Sequence, residues 1–143
     1  MTGLFLEKLL GRPVYKIGQN ATLSDVAEKL VSFNIGALPV VDNSENLKGI
    51  ISERDLVKAF YAIQTQDLLK ISVRKIMTRE VIRCNKSIRS EELMIIMTRK
   101  KIRHIPIVDR DTLIGIVSIG DVVKRLLEKY KDETESLRQY IYS

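Results

Sequence analysis

Two stretches of this chain set a hydroxyl and a carboxylate at the spacing of a helix start: Ser52-Glu53-Arg54-Asp55 and Ser118-Ile119-Gly120-Asp121. Each follows a glycine and two apolar residues, Gly49-Ile50-Ile51 and Gly115-Ile116-Val117. A serine where a strand gives way to a helix can cap the helix, and the amides there attract an anion. Asp55 and Asp121 lie one helical turn further in. A carboxylate there accepts hydrogen bonds and can clamp two vicinal hydroxyls, such as those of a ribose. Phosphate at the helix start beside ribose on the carboxylate outlines a nucleotide site. A single copy would read as a plain cap with an acidic first turn. Recurrence favours the ligand reading, although duplicated folding needs would also repeat the pattern.

A base would need an apolar slot. Ile35-Gly36-Ala37 and Ile102-Arg103-His104 lead into two proline-bearing strands. Gly36 permits close approach of a flat ring to backbone, and backbone groups beside Ile35 or Ile102 can read a base edge. Arg103 and His104 can face phosphates, a contact to which arginine is well suited. His104 reads equally as a side chain satisfied at the core edge. Arg54 is a further phosphate candidate, or else a solvated surface arginine.

Other chemistry has little to build on. His104 is the one histidine and Cys84 the one cysteine. A catalytic triad or a zinc site would rest on His104 alone, and neither an intrachain disulfide nor a cysteine metal cluster is possible. An enzyme needs a nucleophile, a base and a positioned electrophile. The chain therefore reads as non-catalytic, without a metal site or catalytic cofactor.

The elements that would position these residues come from a repeat. Pro39-Val40-Val41-Asp42 reappears as Pro106-Ile107-Val108-Asp109, 67 positions on. Gly49-Ile50-Ile51-Ser52 reappears as Gly115-Ile116-Val117-Ser118, 66 positions on, and Asp55 and Lys58 as Asp121 and Lys124. Each copy reads β-α-β-β-α, an α/β (α+β) unit. A strand near Val14 to Ile17 is matched by one near Glu80 to Cys84. A helix over Leu23 to Phe33, capped by Thr22 or Ser24, carries Leu23, Val26, Ala27, Leu30 and Val31 at helical spacing. Its counterpart covers Ser90 to Arg99, with Leu93, Ile96 and Met97 inward. Between Asn85 and Pro106 the second copy is two residues longer than the first between Asn20 and Pro39.

Strands follow over Ala37 to Val41 and Leu47 to Ser52, and over His104 to Val108 and Leu113 to Ser118. The closing helices start near Glu53 and Ile119. They are expected to bury Leu56, Val57 and Phe60, and Val122, Val123 and Leu126. A copy of about 60 residues is marginal alone, so the sheets are expected to pack on each other. The repeats span 10–67 and 73–131, with Asp67 to Arg74 linking them. The charged tail, 132–143, reads either as a terminal helix lying on a neighbour or second chain, or as a frayed end.

The chain has 143 residues, 45% apolar and 29% charged, with a net charge of +6. That charge favours anionic partners. The basic residues are spread through both halves, which favours a solvated surface over a nucleic-acid face. No apolar stretch approaches the roughly 20 residues of a membrane helix. Met1 to Leu10 lacks the basic-then-apolar order of a secretory signal, so a cytoplasmic location is expected.

These motifs resemble the cystathionine-β-synthase (CBS) domain family. The resemblance runs from about Arg12 to Lys129 and includes Ile76-Met77-Thr78, similar to the usual opening of a second copy. It implies an intramolecular pseudo-twofold pair, a Bateman module, which binds AMP, ADP, ATP or S-adenosylmethionine in two clefts and commonly forms disc-like homodimers. AMP is the foremost expected ligand. By the resemblance, Asp55 and Asp121 hold ribose hydroxyls, and Ser52 and Ser118 touch ribose or phosphate. The arrangement is crossed. The base in the Asp121 cleft lies against Val14, Tyr15 and Ile35 to Ala37. The Asp55 cleft uses the strand after Met77 and Ile102 to His104. Arg103 and His104 sit where relatives carry phosphate-binding basic residues, whereas the first copy has Gly36 and Ala37 there, so the clefts are expected to differ.

The expected function is adenine-nucleotide sensing on behalf of a separate enzyme or transporter. The alternative is an interaction or scaffold module with no small ligand.

Overall fold

The computed structural model of the chain describes residues 4–142. Helix α1 (Leu4–Leu10) leads into a first unit of β1 (Ile17–Gly18), α2 (Leu23–Ser32), β2 (Ala37–Val41), β3 (Leu47–Ser52) and α3 (Glu53–Ala62). A 3-10 turn (Leu68–Lys70) and the short α4 (Val73–Ile76) connect it to the second unit. That unit comprises α5 (Ser90–Lys100), β4 (His104–Asp109), β5 (Thr112–Ser118) and α6 (Ile119–Tyr142). The order β1-β2-β3 makes one sheet, with β1 parallel to β2 and β2 antiparallel to β3. Strands β4 and β5 make the other, also antiparallel.

The opening strands are shorter than expected. Only Ile17 and Gly18 pair with β2, and in the second unit Cys84 alone bridges to Ile107. Pro13 offers no amide to a ladder, and the Tyr15 ring leaves to stack on Phe33 with centroids 4.0 Å apart.

The helices fall where periodicity put them, but part of the expected inner face differs on three of them. Val26 and Leu30 in α2, and Leu93 and Met97 in α5, are buried, while Ile96 is half-buried. Thr22, not Ser24, caps α2. Val31, Val57, Phe60 and Val123, all expected inward, are exposed; Phe60 is 75% accessible. Leu56, Ala59 and Ile63 form the inner stripe of α3, so Val57 and Phe60, one position on, rotate by about 100° onto the outer face.

The apparent two-residue expansion of the second repeat disappears. The helix caps Thr22 and Arg89, the left-handed turns at Asn34 and Lys101 (φ 52 and 55) and the prolines all keep one offset. Asn20 therefore matches Ser87, not Asn85. The lost residue lies in the turn after a bulge present in both hairpins.

Each unit has its own core, and a third cluster joins them: Val41 and Leu47 meet Val108 and Leu113, with Val14 and Val81 packed alongside. The hairpin turns also bond reciprocally, the Leu47 amide to the Asp111 carbonyl at 2.9 Å and the Leu113 amide to the Glu45 carbonyl at 3.0 Å. Helix α1 crosses over. Leu6, 1% exposed, enters the second core, and Leu10 covers Gly115. Conversely Val73 and Met77, at the start of the second repeat, enter the first core. The tail is helical and continuous with α6, with Leu137 and Ile141 exposed; Ser143 lies outside the described residues.

Candidate functional site

Each Ser-x-x-Asp sequence sits at a strand-to-helix junction, as its residue types require. In the first unit Asp55 Oδ2 accepts the Ser52 amide at 2.8 Å and the Ser52 hydroxyl at 3.1 Å. The Asp55 amide returns a bond to Ser52 Oγ at 3.3 Å, closing a capping box. Among the described residues, the bonds to the Asp55 carboxylate thus fall on Oδ2. In the second unit Asp121 Oδ2 accepts the Ser118 amide at 2.8 Å, and the Asp121 amide bonds Ser118 Oγ at 3.2 Å.

The leading amides of both helices are less free than the sequence implied. The Glu53 amide donates to the Gly36 carbonyl at 2.9 Å, and the Ile119 amide to the Arg103 carbonyl at 2.8 Å. With the third amide held by serine, any anion at either helix start has the intervening Arg54 or Gly120 amide to use.

Residues 35–37 and 102–104 hold equivalent places. Ala37 pairs with Ser52, and His104 with Ser118. The strand starts also meet across the two units: a methyl group on Gly36 would stand 3.4 Å from the His104 ring and 3.4 Å from the Glu53 carboxylate. Both would be near ordinary van der Waals contacts with side-chain ends, so the approach does not by itself demand glycine. Ala37 is buried, Ile35 and Ile102 are half-buried, and Arg54 and Arg103 are exposed. Val14 belongs to the cluster joining the units, and Tyr15 lies exposed with one face of its ring stacked on Phe33. Burial holds the His104 ring below its ordinary pKa, against the pull of Glu53 and Asp121 and with the help of Arg103.

The sequence reading missed Arg12. Its guanidinium grips Asp121 with two bonds, Nη1 to Oδ1 at 2.9 Å and Nη2 to Oδ2 at 2.7 Å, and Nη2 also donates to the Ile116 carbonyl at 2.9 Å. Partial burial alone would raise the Asp121 carboxyl. The bonds from Arg12 and the Ser118 amide outweigh it and hold the group below the ordinary carboxylate range. The repeat carried a signal for this residue, since Arg12 and Arg79 are equivalent. Arg79, however, bonds the Arg74 carbonyl at 3.1 Å and leaves Asp55 alone.

Elsewhere, burial pushes the Cys84 thiol up to about 12, leaving it inert. An apolar groove of about 270 Å³ lies between α2, α3 and the 3-10 turn, lined by Leu23, Leu56, Phe60 and Leu69 among others. None of the candidate ligand residues lines it. Among the described residues no cluster of histidine, cysteine and carboxylate side chains could hold a metal ion, and no helix is long and apolar enough to cross a membrane.

The model of the CBS domain matches this chain twice, over residues 6–62 and 73–128. The chain belongs to the CBS domain family. Its two CBS units are 40% identical to the CBS-domain containing protein ATU1752 from Agrobacterium tumefaciens, whose crystal structure superposes with a TM-score of 0.77 over 85% of this chain and 94% of that one. The CBS domain pair of protein MJ0100, crystallised with 5′-methylthioadenosine and S-adenosyl-L-methionine, is 29% identical with a TM-score of 0.76, covering 90% of this chain and 99% of its own. The mitochondrial CBS domain-containing protein CBSX3 of Arabidopsis thaliana is 36% identical over 124 residues, 84% of this chain and 60% of that protein's length. The first CBS match begins at residue 6, so it takes in most of α1 and Arg12 although both pack on the second unit.

Proposed function

We propose that this CBS pair is a non-catalytic regulatory module that binds an adenine nucleotide, AMP foremost, at the Asp55 and Asp121 helix starts. It would act in the cytoplasm on a separate enzyme or transporter. The observation that carries the reading is the pair of Ser-x-x-Asp boxes, whose serines pair with Ala37, next to Gly36, and with His104, Gly36 and His104 being residues that approach each other across the two units. MJ0100, a pair of the same fold, was crystallised with two adenosine-containing ligands. The crossed arrangement has support in Arg12, which precedes Val14 and Tyr15 and reaches Asp121. Thermal melting with AMP, ADP, ATP and S-adenosylmethionine tests the proposal. A ligand at 100 times its dissociation constant should stabilise the fold by roughly 2.7 kcal/mol, and Asp55→Ala with Asp121→Ala should abolish the shift. No shift with any of the four compounds refutes it.

One observation favours the scaffold alternative. Both carboxylates already serve in helix caps, and Asp121 is also gripped by Arg12, so the fold gives each a role without a ligand. In that case the double variant would bind its protein partner unchanged.

We also infer a homodimer. The same outer face of the closing helix is apolar and exposed in both units: Val57 and Tyr61 on α3, Val123 and Leu127 on α6. Sedimentation should return twice the 16.4 kDa of one chain, and Tyr61→Glu with Leu127→Glu should return the monomer. A monomeric parent protein overturns the inference.

A further inference from the structure

We propose that Arg12 is the specificity-determining residue of the Asp121 cleft, restricting it to adenine ligands that carry an anionic group while the Asp55 cleft also accepts uncharged ones. The inference rests on the adenine-binding reading above and goes beyond it by separating the two clefts.

The difference begins in the backbone. In the first unit Thr78 bridges to Ile50: its amide donates to the Ile50 carbonyl at 2.9 Å, and the Ile50 amide donates back at 3.0 Å. The equivalent carbonyl in the second unit belongs to Ile116, and Arg12 Nη2 occupies it instead. Standing in for that backbone donor fixes the guanidinium beside Asp121, where its fork meets both carboxylate oxygens. Leu6 and Leu10, packed in the second core and against Gly115, anchor the segment that carries it.

A ribose bound through its vicinal hydroxyls needs the same two oxygens. Among the described residues, the bonds to the Asp55 carboxylate use Oδ2 alone and no guanidinium reaches it. At Asp121 a ribose must take Oδ1 and Oδ2 from a bidentate partner, which is the stronger kind of hydrogen-bonded pair. A neutral nucleoside returns nothing but water to the displaced guanidinium, whose side chain is 42% exposed, so a charge-assisted bidentate pair is exchanged for hydration. A 5′-phosphate supplies a new bidentate acceptor within the same ligand. Arg12 therefore opposes adenosine and is neutral or favourable towards AMP. The two clefts share a carboxylate yet differ in the charge they demand.

The test uses adenosine and AMP as probes, titrated by calorimetry into the full chain carrying Asp55→Ala, so that the Asp121 cleft alone is read. With Arg12 present, AMP should bind tighter than adenosine. Adding Arg12→Ala should tighten adenosine about tenfold and narrow the preference for AMP by a similar factor, the worth of one charge-assisted hydrogen bond. Arg12→Lys keeps the charge but loses the fork, should narrow the preference partly, and serves if Arg12→Ala folds poorly. A preference that neither substitution changes overturns the proposal. So does a cleft that takes neither probe after Arg12 is removed while the Asp55 cleft of the unaltered chain binds them. If the unaltered chain binds neither probe at all, the adenine-binding reading itself fails.

Discussion

The two CBS units share a plan and diverge where their edges are completed. In the first, a backbone bridge from Thr78 finishes the sheet beside β3 and leaves Asp55 with an oxygen to spare. In the second, the guanidinium of Arg12 does the finishing and engages Asp121 fully. A duplicated sequence thus yields two carboxylates in the same capping geometry with different remaining capacity. Duplication preserves the cap because the helix needs it; nothing obliges it to preserve the surroundings.

The sharpest test of the crossed arrangement is Leu6→Ala. Leu6 lies before the first repeat's sheet but inside the second core, 1% exposed. Truncating a buried leucine costs about 2–5 kcal/mol, so urea unfolding should show a loss of that size. A loss below about 1 kcal/mol would mean that α1 is a loose arm and that the units are not interlocked.

The glycines opposite these segments give a smaller, paired contrast. A methyl group at Gly49 would lie 2.7 Å from Met77 Sδ and 2.9 Å from the Thr78 carbonyl oxygen, which is backbone held in a bridge. At Gly115 the nearest atom is the tip of Leu10, 3.0 Å away. Gly49→Ala should destabilise by about 1–3 kcal/mol and Gly115→Ala by less, because a flexible side chain can yield where backbone cannot. Equal losses by denaturant titration would erase the proposed difference in how the two edges are finished.

The smallest effect separates His104 from Ala37, its partner in the first repeat. Burial keeps the folded imidazole from taking up a proton until below 6.5, the value at which the unfolded chain takes it up. In that window the unfolded state binds more protons, so stability rises with pH and falls as pH drops below 6.5. Between about pH 7.5 and 5.5, the unaltered chain should lose more stability than His104→Gln does. Identical pH slopes would show that the cross-unit contact with Gly36 and Glu53 leaves the ring as free as in the unfolded chain.

Much of this was legible in the residues. The Pro-apolar-apolar-Asp and Gly-apolar-apolar-Ser repeats marked both hairpins, and the helical periodicities of Leu23 to Leu30 and Leu93 to Met97 marked both amphipathic helices. The Ser-x-x-Asp spacing located both caps. Other features were not legible. Val57 and Phe60 are as apolar as Leu56, and only the packing of α3 against its sheet chose between adjacent stripes. Asn20 and Asn85 look like partners, but the register of Ile17 with Val40 and of Cys84 with Ile107 sets the true alignment.

By itself the sequence determined the duplication, the β-α-β-β-α order and the capped carboxylates, because each depends on contacts among residues close in the chain. Only the tertiary structure decided which unit each preceding segment completes, and that Arg12 closes on Asp121 across 109 positions. A guanidinium's partner is set by where folding brings its fork, and neither its neighbours in sequence nor its counterpart Arg79 carries that information.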